Sequence, residues 1–101
     1  MRHIIMVKFK PEYSMEDRYK MYPEIAQLFE QAVNTPGIYG VKLFPNMVDR
    51  PNRYHLAVEI EMDAEALQLY DESDYHKEWK DKYGDMLESK AIIDLEDELV
   101  F

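Results

Sequence analysis

The stretch "LYDESDYHKEW", residues 69–79, places a phenol, Tyr70, and an imidazole, His76, six positions apart across a break between two helical patterns. An imidazole titrates near neutrality and can take a proton from an acidic C–H or O–H. A phenol can hold the carbonyl oxygen on which charge develops. That division of labour suits aldol-type or enol chemistry without a cofactor. The same residues also admit a structural reading. Tyr70 falls beside Leu67 on one helix and His76 beside Trp79 on the next, so both rings can finish a core edge with their polar tips in water.

Other chemistries have less support. The three histidines, His3, His55 and His76, show no HxH or HxxxH spacing, so no metal site is expected. Glu59 and Glu61 share one strand face, where carboxylates form a solvated stripe or cross-subunit ion pairs more readily than an acid–base couple. The absence of cysteine excludes disulfides, zinc–thiolate sites and thiol nucleophiles. No GxGxxG, P-loop or GxSxG motif occurs, which removes support for nucleotide binding and serine hydrolysis. The formal charge of −9, with no basic cluster evident along the chain, makes nucleic acid a poor partner. No apolar run is long enough for a membrane span, and Lys8 interrupts the apolar N-terminal segment, so the expected location is the cytoplasm.

These candidate groups are positioned by a chain that reads as one domain over residues 1–101, with 47% apolar and 33% charged residues. In "HIIMVKFK", His3, Ile5, Val7 and Phe9 alternate with Ile4, Met6, Lys8 and Lys10, the period of a strand over about residues 2–10. Ser14 is a helix N-cap with Asp17 at N3, and Tyr22, Ile25, Ala26, Leu28, Phe29, Ala32 and Val33 form the apolar stripe that follows. Pro23 predicts a kink or a restart inside that helix. "IYGVKLF" is a second strand, and "PNMVDRPN" is a turn region. In "YHLAVEIEM" Tyr54, Leu56, Val58, Ile60 and Met62 oppose His55, Ala57, Glu59 and Glu61. Asp63 is expected to cap a short helix to about residue 72, and Ser73 or Asp74 a third helix carrying Tyr75, His76, Trp79, Tyr83 and Met86. Gly84 and Ser89 close it before a final strand and tail, "AIIDLEDELVF". The order βαββααβ is a split βαβ sandwich with its second helix broken in two: an α+β, ferredoxin-like fold with a four-stranded antiparallel sheet and helices on one face.

Such a sheet leaves its second face bare. Ile4 and Met6 oppose Ile5 and Val7, and Ile92 opposes Ile93, so the strands are apolar on both sides where a solvated antiparallel face is polar. A second copy of the chain is expected to cover that face, since a domain this small gains much from burying it.

The pieces "HIIMVKFK", the "PG" after the first helix, "RPNRYHLAVEIEM", "EALQLYDESDYHKEW" and "AIIDLE", in this order, resemble the stress-responsive dimeric α/β-barrel domain family. The resemblance implies a homodimer whose sheets pack face to face as a barrel. In the olivetolic acid cyclase-like branch of polyketide cyclases, catalytic positions match His3, Tyr70 and His76 here. That branch also uses a tyrosine on its first helix. The position falls at Ile25 or Leu28 depending on the direction of counting, neither of which donates a hydrogen bond, and Tyr22 lies one turn earlier on the same face. Tyr22, Ile25, Leu28, Phe29 and Trp79 are thus the expected lining of a substrate pocket between sheet and helices. His55 is assigned to structure. "MYPEI" is similar to sugar mutarotases of the same barrel superfamily, which adds isomerisation to the enzymatic options.

Two classes of function follow. One is a cofactor-independent cyclase, lyase or isomerase acting on a carbonyl compound. The other is a non-catalytic dimeric ligand-binding or stress-associated module whose pocket is filled by its own side chains. An open cavity reaching Tyr70 and His76 favours the first, and a cavity closed by Phe29, Trp79 and their neighbours favours the second.

Overall fold

A computed structural model describes all residues, 1–101. Strand β1 spans Arg2–Phe9, and helix α1 spans Met15–Glu30 with a short 3-10 turn after it. Strands β2 (Ile38–Pro45) and β3 (Leu56–Met62) follow, then helices α2 (Leu67–Asp71) and α3 (Asp74–Tyr83), and strand β4 (Leu87–Leu95). The sheet order is β2-β3-β1-β4 and every neighbouring pair is antiparallel. This is the expected ferredoxin-like arrangement.

The two-residue alternation of β1 resolves as expected. His3, Ile5, Val7 and Phe9 are buried toward the helices, while Ile4 and Met6 on the other face remain half-buried. Leu56, Val58, Ile60 and Met62 of β3 face the same core. The cross-strand register carries the bare face onward, because directly opposed residues share a side of the sheet. Ile4 pairs with Ile93 and with Glu59, and Met6 with Ala91 and Ala57. Phe44 joins them from β2, opposite Ala57, and both Phe44 and Ile93 are exposed.

Helix α1 starts in a capping box: the Asp17 N–H donates to Ser14 Oγ at 3.1 Å, and the Ser14 N–H to the Asp17 carboxylate at 3.0 Å. Pro23 neither ends the helix nor restarts it. It lies on the solvent side, where the Tyr19 carbonyl that loses its partner can turn to water. Val33 lies past the helix end and is exposed rather than in the apolar stripe.

Three boundaries differ from expectation. Strand β3 begins at Leu56, so Tyr54 and His55 belong to the approach to it. The Asp63 carboxylate makes no capping bond; it accepts instead from the Tyr39 hydroxyl at 2.7 Å, and a 3-10 turn opens the segment that becomes α2. Strand β4 begins at Leu87, which puts Ser89 inside the strand, opposite Lys8. Gly37, at φ 86°, is the one residue with positive φ, and a Cβ there would stand 3.1 Å from that of Ala66. It is the turn that returns the chain from α1 into β2.

Candidate functional site

The break between α2 and α3 is built by Ser73. Its hydroxyl donates to the Tyr70 carbonyl at 2.6 Å and accepts from the His76 N–H at 3.2 Å, which settles the choice between Ser73 and Asp74 as the cap. One side chain therefore closes the helix carrying Tyr70 and opens the helix carrying His76. The fold-back brings the two rings to 4.7 Å between centroids.

The His76 ring contacts the Asp71 carbonyl through Nδ1 at 3.1 Å. A carbonyl only accepts, so Nδ1 carries the proton and Nε2 keeps its lone pair in the neutral ring. Burial pushes the His76 pKa below the ordinary histidine value, against the Asp71 carbonyl, which favours the charged form. His76 is therefore neutral at pH 7, the state a general base needs.

Tyr70 is 1% exposed and its hydroxyl has no hydrogen-bond partner. Burial raises its pKa far above the ordinary phenol value, so the group keeps its proton and can only donate or accept as a hydroxyl. An unpaired buried hydroxyl costs about 1–3 kcal/mol and is uncommon in folded proteins.

His3 also packs edge-on against Tyr70, at 5.2 Å between ring centroids. Its Nδ1 lies 2.6 Å from Asp94 Oδ1. The carboxylate accepts, so Nδ1 holds a proton here also. Asp94 was not among the residues singled out by the sequence, and no local pattern marks it: the partners are joined only by the β1–β4 register, which sets His3 opposite Asp94. The three expected catalytic side chains thus converge, with the Tyr70 ring in contact with both imidazoles.

The expected lining is distributed differently. Ile25, Phe29 and Trp79 are sealed in the core, with the Phe29 and Trp79 rings 5.0 Å apart. Leu28 borders a shallow polar cleft with Glu24, Gln31 and Glu78. The Tyr22 hydroxyl points to the His55 carbonyl at 3.4 Å, near the Phe9 end of β1. None of the principal surface depressions is lined by His3, Tyr70 or His76. On the helix side of β4, Lys90 and Ile92 are exposed beside the buried Val7 and Ile5. His55 is structural: its Nδ1 accepts from the Phe9 N–H at 3.0 Å and its ring stacks on Phe9. The Glu59 carboxylate pairs within the chain, with Arg2 at 3.2 Å. No group of three or more potential metal ligands is gathered anywhere in the chain.

A four-stranded antiparallel sheet with helices on one face and an aromatic–imidazole cluster between them defines an α+β ferredoxin-like protein. Residues 1–97 match the model of the stress-responsive A/B barrel domain, and the chain belongs to that family. Among solved structures it is similar to an Arabidopsis thaliana protein, with a TM-score of 0.75 and 18% identity over 99% of this chain and 97% of that one. A dimeric ferredoxin-like protein of unknown function from Thermobifida fusca gives a TM-score of 0.74 and 15% identity, covering 91% of this chain and 85% of that one. The hydroxynitrile lyase of Passiflora edulis gives 0.73 and 17%, covering 99% and 94%. No curated protein matches the sequence.

Proposed function

We propose that the chain is a homodimer that carries out cofactor-independent acid–base chemistry on a small carbonyl compound, of the cyclase, lyase or isomerase kind. His76 is the base, through Nε2. Tyr70 donates its hydroxyl to the carbonyl oxygen, and His3, held by Asp94, packs edge-on against the Tyr70 ring. The observation that carries this reading is the buried, unpaired hydroxyl of Tyr70, whose ring packs against both imidazoles. Such groups are uncommon in folded proteins; the Tyr83 hydroxyl is also buried without a partner, and Tyr70 differs from it in packing against two imidazoles. The dimer is supported by the apolar side chains of the bare sheet face and by the dimeric state of the Thermobifida fusca neighbour. The Passiflora edulis lyase adds a test compound class, since cleavage of a cyanohydrin also begins with loss of an acidic O–H proton.

A second reading, a non-catalytic ligand-binding or stress-associated module, is favoured by a specific observation: the core around Phe29, Trp79 and Tyr70 is closed. On the first reading a substrate enters along β4 and displaces α3 enough to meet the hydroxyl. The two are separated by incubating the protein with a β-dicarbonyl compound and with a cyanohydrin while recording native mass spectra. Turnover of either compound above the buffer rate supports the acid–base site. A bound small molecule with no turnover supports the module.

A further inference from the structure

A cleft beyond the Phe9 end of β1 carries charge of the opposite sign to the molecule as a whole. It has a volume of about 410 Å³ and presents Lys8, Lys10, Arg18 and Arg50 against the carboxylates of Asp49 and Glu88, on a chain whose formal charge is −9. Arg18 is the centre of it. A buried guanidinium is ordinarily held by a carboxylate in a matched, two-pronged geometry, because removing its charge from water is otherwise expensive. Arg18 is 7% exposed and lacks that partner. Its Nη1 donates to the Tyr13 carbonyl at 3.3 Å, its Nη2 stands 3.6 Å from the Asp49 carboxylate, and its Nε has no partner. Glu88 is engaged by Lys8 at 3.3 Å, while Lys10 and Arg50 form no ion pair. Positive charge therefore converges on a cleft whose own carboxylates do not balance it.

We infer that this cleft binds a small organic molecule through a carboxylate, which completes the coordination of Arg18 with Lys10 and Arg50 at the rim. Tyr13, Pro11 and Pro51 also border the cleft and give it apolar walls, which favours an organic anion over an inorganic one. The volume is in the range of small-ligand sites. The site is separate from the imidazole cluster: His3 and Phe9 are six strand residues apart, about 20 Å at the usual rise. It stands whether or not that cluster is catalytic.

The test is a titration of the full-length 15N-labelled protein, followed by amide chemical shifts at constant ionic strength. Sodium benzoate is the probe, benzamide its uncharged counterpart, and inorganic phosphate an oxyanion without an apolar body. Benzoate is expected to give saturating shifts at Tyr13, Arg18, Arg50 and His55, with benzamide and phosphate each weaker by about tenfold or more, the loss expected for a charge-assisted hydrogen bond or its apolar contacts. Arg18→Gln is expected to abolish the effect. Should that variant not fold, the exposed pair Lys10→Gln/Arg50→Gln decides, with an expected weakening of about tenfold. Absence of saturation with benzoate, equal binding of benzamide, binding of phosphate alone, or an unchanged double variant would each overturn the assignment.

Discussion

Tyr70 and His76 are held for opposite reasons, and that opposition makes them testable. The Tyr70 hydroxyl is a stability cost, since it is buried without a partner. Tyr70→Phe removes the cost and keeps the ring, so denaturant unfolding is expected to show a protein as stable as the wild type or more stable by about 1 kcal/mol, with activity lost. A destabilised variant would show that the hydroxyl has a partner in solution. His76 offers a pH signature. Its folded pKa lies below the ordinary 6.5 because of burial, and that of His55 is lowered for the same first cause. For a lowered histidine the unfolded state binds more protons between the two pKa values, so stability rises with pH across that window. It is fully present above about pH 6.5 and declines as pH falls through the folded values. Melting temperature measured from pH 7 to pH 5 checks the sign. The pair was legible in the sequence because a serine-capped break in an amphipathic pattern has a local signature. Asp94 was not, being 91 residues from His3 and placed by strand register alone. Nor was Arg18, since a charged residue on a helix reads as solvated until the fold closes over it.

Among the elements, the α2–α3 junction decides whether the site exists. Ser73→Ala removes the two hydroxyl hydrogen bonds at the break and keeps the Ser73 N–H bond to the Tyr70 carbonyl, and loss of an N-cap costs about 1 kcal/mol. The expected outcome is a modest fall in melting temperature together with a larger fall in activity, because the Tyr70–His76 geometry depends on that hydroxyl. Equal fractional losses would reduce Ser73 to a helix cap. Strand faces and helix stripes were readable because burial imposes periods of two and of three to four residues. Boundaries were less so. Pro23 is accommodated on a solvent-facing turn, Asp63 trades its cap for the Tyr39 hydroxyl, and β4 starts at Leu87, before the apolar run that announces it. At Pro23 the lost hydrogen bond is left to solvent, whereas the last two are tertiary contacts prevailing over a local preference. The closure of the site by Phe29 and Trp79 is of the same kind, since residues that would line a pocket and residues that would fill it are the same types.

At the scale of the whole molecule, the bare sheet face is the surface through which the proposed dimer would form. Ile4 sits near its middle, paired with Glu59 on one side and Ile93 on the other. Light scattering at micromolar concentration is expected to give the mass of a dimer, and Ile4→Glu to yield monomer or unfolded chain, because an unpaired carboxylate buried in an interface costs several kcal/mol. A wild-type monomer, or an Ile4→Glu dimer of unchanged stability, would show that another surface, or none, joins the copies. On the proposed reading, two copies meet through this face while the His3, Tyr70 and His76 cluster lies on the opposite, helix-covered side of the sheet. The most direct test of that account is the rate of α-proton exchange of a β-dicarbonyl compound, measured against pH for the dimeric wild type and for His76→Ala. The account predicts an acid limb with its midpoint below 6.5. It also predicts a loss of about a hundredfold to ten-thousandfold at pH 7 in the variant, the range for removal of a general base, with the melting temperature nearly unchanged. Equal rates for the two proteins across the pH range would contradict it.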